Sequence, residues 1–541
     1  MVSNDTPGGV RHWLARTMEM LRGSTVDLTN YDPAAHGPLV SAGGPDGYET
    51  DRYWLDAPFT FASIAYDTEV DEYRYRVVEP ALDDLERELL DSLAADVRDH
   101  LLYRADDHEE TSRVDADPEQ ALREEMRDRL EEYGVEVDVP TFYRLFYYLD
   151  RSFRGYGRLD PLMHDPHIED VSCDGPEMPV YAYHDDYTDI ETNVVFEREE
   201  LDTFVVHLAQ QSGRHVSVGD PVAAATLPDG SRAELALGQE VTPHGSAFTI
   251  RKYSEEPLTP IDLLNFGTYD LASMAYLWLA IEHNKNLVFA GGTAAGKTTS
   301  MNAISMFIPP RSKVITIEDT RELALHHDNW LSSVTREGLS KGTDISMYDL
   351  LRAALRHRPE YIVVGEVRGE EAITLFQAMN TGHTTLSTMH ADSVRTAINR
   401  LENKPIDVPR QMVESLDLLI VQKQVRLDGQ RVRRADAVAE IDGIDQRTGE
   451  LDYGQAFAWN AGSDTFEPGS RTVADEIRDE RGWSQSDLLR ELKRRHRFLE
   501  ALRERNITDY RRFTAMVNRY YADPERALDR VDAGTAAVAD D

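Results

Sequence analysis

The chain has 541 residues, with 98 Asp and Glu against 58 Lys and Arg, which gives a formal net charge of −40 at pH 7. This length suits two to four domains with large cores, and the acidic balance argues against a general nucleic-acid-binding role. The single cysteine, Cys173, excludes an internal disulfide and a zinc site built from cysteines, as expected in a reducing compartment.

The acidic residues are spread along the whole chain, and only eight of the basic residues are Lys. A Lys-poor acidic surface is typical of proteins in concentrated salt, where charge repulsion is screened over about 3 Å at 1 M. We therefore predict a halophilic protein, with an acidic protein of ordinary cytosol as the alternative. The densest basic segment, residues 493–497, is expected to form a solvated face of a C-terminal helix.

The N-terminus shows no basic region followed by an apolar core and a cleavage site, so we expect no signal peptide. The longest apolar stretch, residues 271–281, is too short to span a bilayer. The sequence predicts a soluble, cytoplasmic protein that is able to dock on a membrane partner.

The first 50 residues are rich in Gly and Pro and are predicted to be irregular. A strand and three helices are predicted to follow, at residues 59–66, 80–102, 118–133 and 139–153. We assign residues 1–135 to a flexible N-terminus with a helical subdomain.

An α/β domain is predicted over residues 136–252. Its strands are expected at 180–184, 192–196 and 248–252, and a helix is expected at 199–212. Residues 253–260 contain two prolines and two glutamates and are expected to be an interdomain linker.

From residue 261 onward, helices alternate with short apolar strands, which we place at 286–290, 314–317, 361–364, 384–388 and 417–422. This alternation predicts a mostly parallel sheet covered on both faces. The last domain is therefore set at 261–541, with a polar helical tail from about residue 472.

Residues 291–298 read Gly-Gly-Thr-Ala-Ala-Gly-Lys-Thr and fit the phosphate-binding loop G-x-x-x-x-G-K-[ST] between a predicted strand and a predicted helix. Backbone N–H groups and the helix N-terminus of such a loop surround phosphate. Lys297 would reach the β- and γ-phosphates of ATP, and the Thr298 hydroxyl would hold Mg²⁺. The candidate nucleotide-binding residues are Gly291, Gly292, Thr293, Ala294, Ala295, Gly296, Lys297, Thr298 and Thr299.

Three further blocks follow this loop. Residues 318–322, Glu-Asp-Thr-Arg-Glu, come after one strand, and Gly365-Glu366 comes after the next. Two histidines, His383 and His390, lie at the two ends of a third strand. Carboxylates at the carboxyl ends of parallel strands share an edge with the loop and can polarise a water or coordinate Mg²⁺ through water.

These four blocks resemble the Walker A, Asp-box, Walker B and His-box motifs of the type II/type IV secretion-system ATPases. The family comprises hexameric motors of type IV pili, type II secretion and the archaellum. The resemblance covers roughly residues 140–540, and the Lys-poor composition suggests a haloarchaeal member. One departure is Glu360, where the family usually has Asp; another is the absence of a four-cysteine zinc motif found in many bacterial relatives.

The resemblance implies an ATP hydrolase of the α/β class, with a RecA-like P-loop NTPase domain, a separate α/β, PAS-like N-terminal domain and a helical N-terminal extension. Glu366 would be the Walker B carboxylate and, with Thr298, a metal-site residue. The remaining catalytic residues implied are the Asp-box acids, the two histidines and two arginines that approach the nucleotide from the N-terminal domain: Glu318, Glu322, His383, His390, Arg232 and Arg251.

The implied partners are five further copies in a homohexamer and a polytopic membrane platform protein, with no nucleic acid. A DNA motor of the conjugation type is the first alternative, although its channel should carry basic loops. A scaffold that binds ATP without hydrolysing it is the second. The sequence leaves open which filament is assembled and which Asp-box acid orients the attacking water.

Overall fold

A computed structural model describes residues 31–32, 36–40, 48–106, 117–253, 256–336, 344–427 and 429–532. The chain divides into two compact units, Met1–Tyr253 and Ser254–Asp541. Most of the predicted irregular N-terminus and of the predicted solvated segment at 104–118 lies outside the described residues.

The first unit is built on a nine-stranded sheet with the order β1-β2-β3-β6-β5-β4-β9-β8-β7. Only the β3–β6 pair is parallel. Its strands are β1 Tyr48–Asp56, β2 Thr60–Asp67, β3 Glu72–Val78, β4 Ile168–Cys173, β5 Pro179–His184, β6 Thr188–Val195, β7 Val222–Thr226, β8 Arg232–Ala236 and β9 Ala247–Arg251.

The helices of this unit are α1 Asp84–Asp106, α2 Pro118–Tyr133, α3 Val139–Phe153, α4 Asp160–His164 and α5 Arg198–Gln211. The predicted bounds of α2 and α3 are confirmed. Both helices begin after an aspartate, Asp117 or Asp138, whose side chain accepts a backbone N–H of the first turn. Gly134, in the left-handed conformation, ends α2.

Strands β1 to β3 extend the sheet formed by residues 168–251, whereas the sequence analysis assigned residues up to 135 to a helical subdomain. A buried carboxylate explains part of this attachment. Asp165 is fully buried and accepts hydrogen bonds from the hydroxyls of Tyr53 in β1, at 2.7 Å, and Tyr75 in β3, at 2.6 Å. Since a buried charge needs such partners, the two tyrosines tie the N-terminal strands to the rest of the unit.

The second unit holds another nine-stranded sheet, with the order β12-β11-β13-β14-β10-β15-β16-β17-β18. The first six strands in this spatial order, from β12 to β15, are parallel to their neighbours, and the last four, from β15 to β18, are antiparallel to theirs. The strands are β10 Leu287–Gly291, β11 Val314–Glu318, β12 Trp330–Val334, β13 Tyr361–Val364, β14 Thr384–His390, β15 Leu418–Leu427, β16 Gln430–Ile444, β17 Leu451–Asn460 and β18 Thr465–Pro468.

The five strands predicted after residue 261 are confirmed as β10, β11, β13, β14 and β15. Strand β14 lies between the P-loop strand β10 and the Walker B strand β13, as in a RecA-like core. The helices are α6 Pro260–Asn265, α7 Leu271–Glu282, α8 Lys297–Ser305, α9 Met347–Ala354, α10 Glu371–Asn380, α11 Val394–Glu402, α12 Arg410–Val413, α13 Thr472–Arg481, α14 Gln485–Glu504, α15 Tyr510–Ala522 and α16 Pro524–Asp532.

These helices cover both faces of the parallel part of the sheet, as predicted. One hydrophobic cluster joins the sheet to α6–α8 and to the C-terminal helices, and a second joins its other face to α9–α11. None of the helices in the described ranges is long and apolar enough to cross a membrane.

The tail beyond residue 472 is helical, as predicted, and although its composition is polar, part of it is buried. Phe498 and Tyr520 are buried against Trp278 of α7. Arg495, in the basic segment predicted to be a solvated face, is only 2% exposed and pairs with Glu282 at 2.5 Å. The tail is therefore part of the core, because its helices bury apolar side chains and because the buried Arg495 has a carboxylate partner.

Candidate active site

The P-loop has the predicted strand–loop–helix context. Strand β10 ends at Gly291 and helix α8 begins at Lys297. A side chain at Gly291 would lie 2.7 Å from the carbonyl oxygen of Gln422, so close backbone packing requires glycine there. Gly296 has a φ of +84° and turns the chain into the helix in the left-handed conformation.

Lys297 is 9% exposed, and its Nζ donates to the carbonyl oxygen of Gly292 at 2.9 Å. Thr298 is half-buried, while Thr293 and Thr299 are exposed. An ammonium held across the loop, beside the N-terminus of a nine-residue helix, suits a polyphosphate group. The residues present therefore fit a nucleotide.

The strand registers bring the P-loop, the end of β11 and the segment that follows β13 to one edge of the sheet. Gly291 at the end of β10 pairs with His390 at the end of β14. Val364, at the end of β13, pairs with Ile317 of β11 on one side and with Ser387 of β14 on the other. Glu318 and Glu366, which follow Ile317 and Val364 in the chain, consequently lie at the P-loop edge.

Glu366 contacts two basic side chains. One carboxylate oxygen accepts a hydrogen bond from Arg368 Nε at 2.9 Å, and the other lies 3.0 Å from His390 Nε2. Burial, followed by the positive charge of Lys297, lowers the pKa of His390, while the Glu366 carboxylate acts in the opposite direction. Arg400 donates to the carbonyl oxygen of His390 at 2.7 Å and helps to fix that end of the strand.

The two Asp-box acids have different environments. Glu318 is 1% exposed, and its Oε1 accepts the backbone N–H groups of Glu322, at 2.9 Å, and Leu323, at 2.8 Å. Its Oε2 has no hydrogen-bond partner within the described residues, and burial raises the pKa of this carboxyl to about 7. Glu322 is exposed. Glu318 thus fixes the backbone of the loop that follows β11.

Among the residues that the structure describes, no group of three or more His, Cys, Asp or Glu could hold a metal ion. Mg²⁺ prefers oxygen ligands and keeps several waters, and it is usually bound together with substrate phosphates. The Thr298 hydroxyl and, through water, the Glu366 carboxylate fit that mode, with the nucleotide supplying the remaining oxygens.

His383 does not join this group. It precedes the first residue of β14, whereas His390 is the last residue of that strand. Seven residues of strand span roughly 20 Å, so the two rings lie at opposite edges of the sheet. His383 Nδ1 lies 3.2 Å from Thr381 Oγ1, and a role for this histidine in sensing the γ-phosphate or coupling it to the domain interface stays a prediction.

Arg232 and Arg251 belong to the first unit, where they are directly opposite each other on β8 and β9. They line a groove of about 350 Å³ on the sheet face that also carries Tyr181 and Tyr183. Arg232 pairs with Glu234 at 3.1 Å. Like charges opposite each other on a sheet are destabilising, but three acids, Asp170, Asp189 and Glu234, line the same groove and offset the two arginines. Their approach to the nucleotide stays a prediction.

Two residues of the site were missed by the sequence analysis. Arg433 of β16 donates from Nε to the carbonyl oxygen of Ala294 in the P-loop at 3.1 Å, and its side chain lies beside Gly296. Gln422 of β15 is buried under the loop and donates to the hydroxyls of Ser300 and Tyr269. The signals for them were a basic run at 423–434 in an acidic chain and a glutamine inside an apolar strand.

Comparison with known proteins identifies relatives over most of the chain. The sequence profile described as "Type II/IV secretion system protein" matches residues 204–472, and profiles described as "PilB3-like, N-terminal" and "PilB3-like, C-terminal" match residues 8–81 and 462–540. An uncharacterized protein of Methanocaldococcus jannaschii is 37% identical over 384 residues, which cover 70% of each chain.

The type IV secretion system protein PtlH of Bordetella pertussis is 34% identical over 275 residues, covering 44% of this chain and 80% of PtlH. Among solved structures, the Legionella pneumophila ATPase DotB is 17% identical, covers 72% of this chain and 96% of DotB, and has a TM-score of 0.38.

Proposed function

Because the chain belongs to the family of type II/IV secretion-system ATPases, we propose that it hydrolyses ATP to power assembly of a type IV pilus-like filament, an archaellum or a related secretion system. The observation that carries this proposal is that three side chains meet at one sheet edge. Lys297 begins α8 after the loop that follows β10, Glu366 follows β13, and His390 ends β14.

In the proposed reaction, the P-loop backbone and Lys297 hold the β- and γ-phosphates, and the Thr298 hydroxyl would hold Mg²⁺, whose charge would offset that of the phosphates. Glu366 accepts a hydrogen bond from the attacking water, and His390 Nε2, 3.0 Å from the carboxylate, keeps Glu366 aimed at the water. The products are ADP and phosphate.

We further propose that the two arginines of the first unit complete the site when ATP is bound. Arg232 and Arg251 would then act as arginine fingers, which contribute about 10³-fold or more to the rate. ATP would favour the closed arrangement and loss of the γ-phosphate would release it, which gives a motor its switch. The proposed assembly is a homohexamer at the cytoplasmic face of the membrane, held there by a polytopic platform protein.

Steady-state phosphate release, measured together with light scattering in ATP, Mg²⁺ and molar KCl, tests this function. We expect turnover by a particle with the mass of six chains. Arg232→Ala and Arg251→Ala should bind a fluorescent ATP analogue normally but release phosphate far more slowly. Arg74→Ala, an exposed arginine of β3 in the same sheet, is the matched control and should keep the wild-type rate.

Two results would redirect the proposal. Binding of ATP without any phosphate release would favour a scaffold role. Tight DNA binding with a steep salt dependence would favour a DNA motor, for which the basic runs at 423–434 and 493–497 are favourable features.

A further inference from the structure

The C-terminal helices form a basic groove that the nucleotide site does not use. Its volume is about 560 Å³, and it lies between α14 and α16. Four basic residues and two leucines make up most of its lining: Arg490, Lys493, Arg494, Arg497, Leu489 and Leu528. The basic residues are spaced at i, i+3, i+4 and i+7, so they share one face of α14.

Two of these charges are partly neutralised within the groove, and Lys493 is not. Arg494 pairs with Glu491 at 3.0 Å and with Glu525, at the groove wall, at 3.7 Å. Arg490 pairs with Asp487. Lys493 is exposed and forms no ion pair within the described part of the chain. Leu489, 46% exposed, adds an apolar contact beside these charges.

This surface is unusual for the molecule. Residues 471–532 contain fifteen Lys and Arg against thirteen Asp and Glu, whereas the whole chain carries a net charge of −40. Copies of such a chain repel one another, so a ring needs local contacts between opposite charges. The groove is the basic half of such a contact.

Helix α2, Pro118–Tyr133, supplies an acidic half. Its exposed acids include Glu124, Asp128 and Glu131, spaced at i, i+4 and i+7 on one face. Asp128 and Glu131 form no ion pair with other described residues. The acidic stripe therefore matches the basic stripe in length and spacing.

We propose that the α14–α16 groove of one copy binds the acidic face of α2 of the neighbouring copy. Such a head-to-tail contact uses two different surfaces of each chain, which is what a closed ring requires. The concave shape suits a helix better than a flat membrane surface. In molar salt only short-range ion pairs persist, and the two leucines add contact that salt does not weaken. The inference rests on the proposed ring-forming function.

The test is the mass of the full-length protein by light scattering in ATP, Mg²⁺ and molar KCl. Lys493→Glu with Arg497→Glu should abolish the ring, as should Asp128→Lys with Glu131→Lys. Combining all four substitutions in one chain, or mixing the two double variants, should restore it. Arg511→Glu with Arg526→Glu makes the same charge change at exposed positions outside the groove and should leave the ring intact.

Binding of a fluorescent ATP analogue by the separated chains shows that each variant is folded. A wild-type protein that never forms a ring would contradict the proposed function itself. A normal ring from Lys493→Glu with Arg497→Glu would overturn the groove assignment alone. Loss of the ring in both double variants without restoration in the combined variant would show that α2 is not the partner of the groove.

Discussion

Glu318 combines deep burial with one unpartnered carboxylate oxygen. Burial raises its pKa from the ordinary 4.5 to about 7, so the folded state holds this proton more tightly than the unfolded state. The contribution of protonated Glu318 to the free energy of unfolding is therefore fully present below about pH 4.5 and is lost as pH rises through 7. Above pH 7 the ionised carboxylate costs at most about 3 kcal/mol.

We therefore expect Glu318→Gln to unfold at a higher temperature than wild type at pH 8. At pH 5 the amide leaves two N–H donors unpaired and the protonated carboxyl only one O–H, so the variant should be no more stable than wild type there. Thermal unfolding followed by circular dichroism between pH 5 and 8 measures the difference. A constant difference across this range would show that Glu318 does not titrate as described.

Arg433 lies against the P-loop on the side of β10 that faces β15, opposite the carboxylate-bearing strands. Its guanidinium holds the Ala294 carbonyl and places positive charge beside the phosphate site. We expect Arg433→Gln to weaken ATP binding about tenfold, since a hydrogen bond to a charged group contributes about 1.5–3 kcal/mol. Titration with a fluorescent ATP analogue measures this loss.

Arg431→Gln is the control, because Arg431 is an exposed arginine on the same strand, two residues away. It removes the same charge without removing the contact to Ala294. Equal losses in the two variants would mean that only the general positive charge of the hairpin matters.

At the scale of elements, the attachment of β1–β3 depends on few backbone contacts with the rest of the sheet. Strand β3 meets β6 at two residue pairs only, and the tyrosine hydroxyls on Asp165 supplement them. Tyr75→Phe should lower the free energy of unfolding of the first unit by about 1–3 kcal/mol, because a buried carboxylate loses a donor. Urea unfolding measures the effect, and ATP binding should be unchanged.

Tyr73→Phe provides the comparison within the same strand, since Tyr73 lies on the same face of β3 as Tyr75 but is 40% exposed. Its hydroxyl should contribute little. Destabilisation by Tyr73→Phe equal to that by Tyr75→Phe would remove the special role of Asp165.

Strands β10, β11 and β13 of the second unit were predictable because each is a short, mostly apolar run. The parallel strand β12 was missed, since it is largely exposed or half-buried and contains two serines. The antiparallel strands β16–β18 were missed, since they mix buried and exposed positions and include many charges. The attachment of β1–β3 was missed because it depends on Asp165, more than 80 residues away in the chain.

The candidate site was predictable where a motif fixes local geometry, as at Lys297, or where a residue ends a parallel strand, as at Glu366. Sequence alone could not separate Glu318 from Glu322, because burial decides their difference. It did place His383 and His390 at the two ends of one strand, and the direction of β14 puts His390 at the P-loop edge.

At the scale of the whole molecule, we predict that the net charge of −40 makes folding of the chain depend on salt. Mutual repulsion of the acids opposes the compact state, and salt screens it within about 3 Å at 1 M. We expect circular dichroism to show loss of structure as KCl is lowered from molar to millimolar concentrations. A fully folded protein with cooperative unfolding in dilute buffer would contradict the halophilic character.

The central claim is that the edge formed by β10, β13 and β14 binds and hydrolyses ATP. The most direct measurement is ATP-analogue binding and phosphate release for Lys297→Ala and Glu366→Gln, side by side. Lys297 contacts phosphate in the ground state and Glu366 acts in the chemical step, so only the first variant should lose binding, while both lose turnover. Normal phosphate release by Glu366→Gln, or normal ATP binding by Lys297→Ala, would contradict the account.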